Sequence, residues 1–257
     1  MAPPSASDAR ASEPDLRPVA RPEDAWRELA GEIAGLIRER ARAGGRAVLG
    51  LATGRTMQGL YRELVRLHRE EGLSFGRVET FNLDEYCGLA PTHPERMAAA
   101  MDRALFDHVD LPPEQRHFPD VGEGDLERRC DDYERAIRAA GGLDLQLLGI
   151  GRNGHVAFNE PGSSADSRTR RVHLDEATRA DAAGTFGGLD DVPGAAVTVG
   201  IATVHEARAL RVLAFGAAKA EALGRLLRGP AGSDRPVSFL RGHADLRVWA
   251  DDPALGR

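Results

Sequence analysis

Four short segments of the 257-residue chain carry the side chains that could do chemistry. They are Ala52-Thr53-Gly54-Arg55-Thr56, the Asp84-Glu85 pair in FNLDEY, the run GRNGHVAFNE from Gly151 to Glu160, and Lys219 in GAAK. A carboxylate at the end of a buried strand loses water, so its pKa rises toward the working range of a general base, and Asp84 is so placed. An ordinary strand terminus would instead leave Asp84 and Glu85 as a solvated acidic pair. His155 stands between Asn153 and Glu160. A histidine beside a carboxylate can be held in one tautomer and serve as acid and base near neutral pH, whereas a lone loop histidine does neither.

The Thr53–Thr56 turn offers two hydroxyls, an arginine and the backbone N–H groups of a helix start, a combination that suits a phosphate. No Gly-Lys-Ser/Thr follows at the spacing of a Walker A loop, and a plain threonine cap is the simpler alternative. Lys219 is the only lysine among 34 basic residues. Either a bias toward arginine left one lysine behind, or this position needs a compact ammonium that a guanidinium cannot replace. Gly149, Gly151 and Gly154 match the dinucleotide fingerprint formally. That fingerprint needs a helix opening at its third glycine, and here Asn159, Pro161 and Gly162 crowd the place where the helix would run.

Elements that could hold these segments follow from periodicity. Trp26, Leu29, Ile33, Leu36 and Ile37 recur at helical spacing up to Gly44-Gly45, and Leu60, Tyr61, Leu64 and Leu67 mark a second helix. Further helices are predicted near 94–107, around Cys130, Tyr133 and Ile137, and over 217–228. Short apolar runs at 46–51, 78–83, 143–150, 196–203, 210–216 and 246–251 read as strands. Alternation of strands with helices predicts an α/β fold, with a mostly parallel sheet covered by helices on both faces in a single domain. Ligands of such sheets bind beyond the carboxyl ends of the strands, where all four chemical segments fall.

Composition narrows the class. A net charge of −6 with mixed signs argues against nucleic acid as partner, and no apolar run reaches membrane-spanning length. Cys87 and Cys130 have neither metal-ligand nor disulfide-framework spacing, which fits a reducing cytoplasm. Residues 1–21, rich in Pro, Ala, Ser and charge and without an apolar signal core, are expected to be a disordered tail preceding a domain over 22–257.

The segments FNLDEYCGL, LLGIGRNGHVAFNEPGSS, SRTR, VTVGIAT and FGAAKAEAL, in this order and spacing, resemble the glucosamine-6-phosphate deaminase/isomerase family from about residue 46 to 252. The resemblance implies a Rossmann-like fold and conversion of an amino-sugar phosphate to a ketose phosphate plus ammonia, with no redox cofactor and no metal. It implies a proton shuttle at Asp84, ring opening at His155, orientation by Glu160 and Asn153, and phosphate binding at Thr53, Gly54, Thr56 and Lys219. A monomer or small homo-oligomer is expected. A 6-phosphogluconolactonase-like hydrolase and a non-catalytic sugar-phosphate-binding module are the competing readings.

Two departures from the family pattern concern the phosphate. Arg55 replaces a small residue in the turn, and Gly184 stands where relatives carry a phosphate-binding arginine. Arg55 either compensates within one pocket, or the substrate differs. Of the family's allosteric residues, Ser163 and Arg170 match, Val172 replaces a lysine, and the C-terminal extension is missing. Activation by N-acetylglucosamine 6-phosphate is therefore not expected.

Overall fold

The computed structural model describes residues 13–257. In chain order the elements are β1 (Asp15–Val19), α1 (Pro22–Arg42), β2 (Ala47–Leu51), α2 (Gln58–Glu71), β3 (Val78–Asn82), β4 (Asp84–Tyr86), α3 (Met97–Ala104), β5 (Arg116–His117) and α4 (Leu126–Ala139). They continue with β6 (Leu145–Gly149), β7 (Arg170–His173), α5 (Glu176–Phe186), β8 (Ala195–Thr198), α6 (Ile201–His205), β9 (Leu210–Ala214), α7 (Ala220–Arg228), β10 (Leu246–Asp251) and α8 (Asp252–Leu255).

Seven strands form one sheet in the order β1-β10-β9-β6-β2-β3-β5, and every pairing in it is parallel. β2 and β9 are buried at every position, so β2 reads as a continuous apolar run rather than an alternating one, and β9 does so apart from Arg211, which is buried in ion pairs with Glu32 and Asp245. The chain moves from β2 toward β3 and β5, but from β6 toward β9 and β10. Right-handed crossovers in opposite directions place their helices on opposite faces of the sheet. Between β2 and β6 the order reverses, so a crevice opens beyond their carboxyl ends.

The core lies between sheet and helices. α1 contributes Leu29, Ile33 and Ile37, α2 contributes Leu60, Tyr61 and Leu64, and Trp249 from β10 is fully buried. At roughly 1.5–3 kcal/mol for each large side chain removed from water, these residues outweigh helix propensity as the source of stability.

Three expectations change. Residues 15–19, expected in the disordered tail, form β1, which pairs in register with β10 from Asp15 opposite Arg247 to Val19 opposite Asp251. An edge strand can be mostly exposed and polar, so it lacks the apolar signature of its neighbours. The part of that expectation that falls on residues 1–12 lies outside the described residues. The run 196–203 is not one strand: β8 ends at Thr198 and α6 begins at Ile201. Ser167 explains the break, because its backbone packs against Gly200, where a Cβ would come within 2.1 Å of Ser167 O. Its hydroxyl also accepts the Ile201 N–H at 3.0 Å. Finally, β4, β8 and β7 form a separate antiparallel sheet that periodicity did not reveal.

Candidate active site

β2, β3, β6 and β9 deliver the four chemical segments to one side of the sheet. A cavity of about 270 Å³ there is lined by residues from all four, including Thr53, Gly54, Thr56, Asp84, Gly151, His155 and Lys219. A larger hollow of about 560 Å³ between α2 and α3, with Arg62, Arg66, Arg69 and Arg103 in its lining, shares no residue with this site. The chemistry-bearing side chains converge on the smaller one.

Asp84 opens β4, where it faces Thr198 across the antiparallel ladder. It is buried, and burial first, with the neighbouring Glu85 charge second, pushes its pKa up to about 7. Thr198 also anchors the opposite wall, since its hydroxyl accepts the Phe158 N–H at 3.1 Å. The fully buried Asn159 fixes the next residue by donating to the Val156 and Val199 carbonyls at 3.0 and 2.8 Å. Asp84 and the His155 loop are thus tied to one small sheet.

The histidine cluster is closed by short polar contacts. His155 Nδ1 lies 3.3 Å from Glu160 Oε2, and Asn153 Nδ2 donates to the same oxygen at 2.8 Å. Asn153 Oδ1 in turn accepts the His155 backbone N–H at 3.1 Å. Burial raises the Glu160 pKa, but hydrogen bonds from His155, Thr178 and Asn153, with the charge of His155, outweigh it and hold the carboxyl below its usual value. Gly151 makes room for the imidazole, because a Cβ there would sit 2.4 Å from the ring. No helix begins at Gly154, so the pyrophosphate seat that a dinucleotide fingerprint requires is not built.

The Thr53–Thr56 turn leads through a single 3-10 turn at Arg55–Met57 into α2. Gly54 has φ of 106°, a conformation that disfavours any side chain. Trp26 Nε1 donates to the Thr56 carbonyl at 3.0 Å and holds the turn from outside. Lys219 ends the matching 3-10 turn before α7, half-buried, with its ammonium pKa lowered first by desolvation. Asp181 raises it again, while Arg152 and Arg55 lower it further.

Of the predicted residues, Thr53, Gly54, Thr56, Asp84, His155 and Lys219 line the cavity, whereas Asn153 and Glu160 sit behind His155. Arg55 is exposed and contributes charge rather than lining. Gly184 lies on α5. Sequence reasoning missed that helix, although Thr178, Asp181 and Ala182 on it line the cavity, as do Tyr86, Met97 and Phe158. Only Thr178 of α5 is buried, so it has no apolar stripe. Its caps were legible: Asp175 precedes it and Gly187, with φ of 92°, ends it. Arg170 is committed to Asn159 and Ser163, at 2.9 Å each. Among the described residues no group of His, Cys, Asp and Glu could hold a metal ion.

A buried aspartate and a carboxylate-held histidine sharing one cavity with a lysine, at the switch point of a parallel sheet, agree with the similarities found. The model of the glucosamine-6-phosphate isomerases/6-phosphogluconolactonase family matches residues 20–249. The chain belongs to this family. It is 44% identical over 230 residues to a glucosamine-6-phosphate deaminase of Geobacillus sp. (strain WCH70), covering 90% of this chain and 92% of that protein. Over 226 residues it is 47% identical to glucosamine-6-phosphate deaminase 1 of Giardia intestinalis, covering 87% and 83%.

Within this family, a solved structure of a monomeric glucosamine-6-phosphate deaminase superposes with a TM-score of 0.90 at 41% identity, covering 94% of this chain and 99% of the other. The 6-phosphogluconolactonase of Trypanosoma brucei shares the fold, with a TM-score of 0.76 at 21% identity over 95% and 99% of the two chains.

Proposed function

We propose that the chain converts an amino-sugar phosphate of the glucosamine 6-phosphate type into the ketose phosphate and ammonia. The observation that carries this reading is Asp84, a buried carboxyl with a pKa near neutrality, facing the same cavity as the His155–Glu160 pair. His155, held by Glu160 and Asn153, moves the proton between ring oxygen and anomeric hydroxyl that opens the sugar. Asp84 then takes the C2 proton of the open-chain aldehyde while the aldehyde oxygen gains a proton that the substrate ammonium gives up, leaving an enolamine, and Asp84 returns its proton to C1. The resulting C2 imine adds water and expels ammonia. One carboxyl can serve both carbons because they lie on the same face of the substrate and the proton travels a single bond length between them.

Lys219 and the backbone N–H groups of the Thr53–Thr56 turn hold the phosphate, one as a point charge and the other through helix-start dipoles. Arg55 adds a longer-range positive charge. Cys87 and Cys130 are free thiols, which supports a reducing cytoplasm, and no helix among the described residues is long and apolar enough to cross a membrane. Monomeric behaviour is part of the proposal, after the solved structure at 41% identity.

The test is a coupled ammonia assay on glucosamine 6-phosphate, galactosamine 6-phosphate, glucosamine and 6-phosphogluconolactone. Ammonia with stoichiometric ketose phosphate is expected from one of the amino-sugar phosphates. Acid release from the lactone without any ammonia refutes the reading, and so does tight binding of every sugar phosphate with no product.

A further inference from the structure

Asp181 and Lys219 line the same cavity, and among the described residues Lys219 is the only lysine or arginine that does. The Asp181 carboxylate is also the acceptor for Arg152, which reaches it from the loop after β6. Arg152 Nε donates at 3.0 Å and Nη2 makes a second, shorter contact, so the pair is bidentate. Asp181 is therefore ion-paired with Arg152, and across the cavity its charge also acts on Lys219, whose ammonium pKa it raises. Asp181 is carried by α5, a thinly anchored wall of the cavity whose one buried residue is Thr178. The Thr178 hydroxyl is 3.3 Å from His155 Nδ1, so the helix that bears Asp181 also touches the candidate acid–base residue.

We propose that Asp181 is a specificity-determining carboxylate that competes with the substrate's phosphoryl group for Arg152 and Lys219, so that the phosphoryl group binds by exchanging places with it. This rests on the amino-sugar phosphate reading given above. The planar guanidinium fork accepts a carboxylate or a phosphate with the same bidentate geometry. A phosphoryl group carries nearly twice the charge of a carboxylate and three acceptor oxygens, so it wins the exchange. An unphosphorylated amino sugar offers no anion and leaves Arg152 on Asp181. Phosphorylation is thus sensed by a swap of partners rather than by a preformed, uncompensated cation cluster. Both Arg152 and Asp181 are exposed, so replacing either does not disturb the core.

Calorimetric titration with inorganic phosphate and with fructose 6-phosphate, at fixed ionic strength, tests this on the full chain and on two variants. Arg152→Ala is expected to raise Kd for both ligands about tenfold or more, and Asp181→Asn to lower it about threefold or more. A pair that only fastens α5 gives changes of the same sign in both variants, and that result overturns the exchange. So does an unchanged Kd in either variant. If the wild type binds fructose 6-phosphate and releases ammonia while the variants match it, the exchange alone fails. If the wild type binds neither ligand, the functional reading fails with it.

Discussion

Asp84 and Glu85 are neighbours in the chain with opposite electrostatic surroundings. Glu85 Oε1 accepts the N–H groups of Tyr86 and Met97 at 2.9 and 3.0 Å, and its Oε2 lies 3.3 Å from Arg96. Asp84 accepts no hydrogen bond from any described residue and looks into the cavity. Strand alternation sends the two side chains to opposite sides of β4, so one carboxylate is satisfied and the other is kept reactive. The satisfied one helps to keep the other protonated, since its charge is the second cause of the raised Asp84 pKa.

A base must be ionised to work, so kcat/KM is expected to rise with pH through about 7. At pH 6 only about a tenth of a carboxyl with that pKa is ionised. Asp84→Asn should lower ammonia release by roughly 10³-fold while leaving fructose 6-phosphate binding intact. Its folded pKa lies above the ordinary 3.8, so the stability Asp84 contributes is full below that value and is lost as pH rises through about 7. Urea unfolding should accordingly show Asp84→Asn gaining on the wild type between pH 5 and pH 8, by about 2–3 kcal/mol.

Glu85→Gln removes the charge that lifts Asp84 while keeping an oxygen to accept the backbone N–H groups. The acid limb of the pH–rate profile should move to lower pH. Arg96 loses its partner, so stability falls by about 1–2 kcal/mol. A pH profile identical to the wild type would show that Glu85 does no more than cap α3.

Glu160→Gln keeps the shape behind His155 but not the charge. Ammonia release should fall roughly 10–100-fold, less than for loss of the imidazole itself. Glu160 has a depressed folded pKa, so its stabilisation is present above the ordinary value of 4.5 and is lost as pH falls through the folded value. The gap in urea midpoint between wild type and variant should therefore be open at pH 7 and closed in strong acid.

Ala157 is the only described non-glycine residue with positive φ, at 52°, and it lines the cavity. The left-handed conformation costs an alanine about 1 kcal/mol. Ala157→Gly should raise Tm by about 2–4 °C, and the β-branched Ala157→Val should lower it. A lower Tm for the glycine variant would mean that the methyl group's contacts with the cavity wall outweigh the strain.

Much of the site is legible in the amino-acid order. Buried strands announce themselves as β-branched and leucine-rich runs, and the residues that follow them in a parallel sheet fall at one edge because every strand points the same way. That reasoning alone brings Thr53, Asp84, His155 and Lys219 together, and the structure places them in one cavity. It fails where stability comes from few apolar contacts. β1 is an exposed edge and α5 buries one residue, so neither carries the periodic pattern that betrays an element.

The sequence by itself determined which residue types stand at the strand ends and in what order, because periodicity and turn residues are local properties. Only the tertiary structure decided their electrostatics. Burial of Asp84 beside Glu85, the closure of Glu160 onto His155, and the capture of Arg152 by Asp181 across 29 positions of chain all depend on distances that no spacing encodes. A pKa follows from the water that is excluded and the charges that face it, and both are set by the packing of segments far apart in the chain.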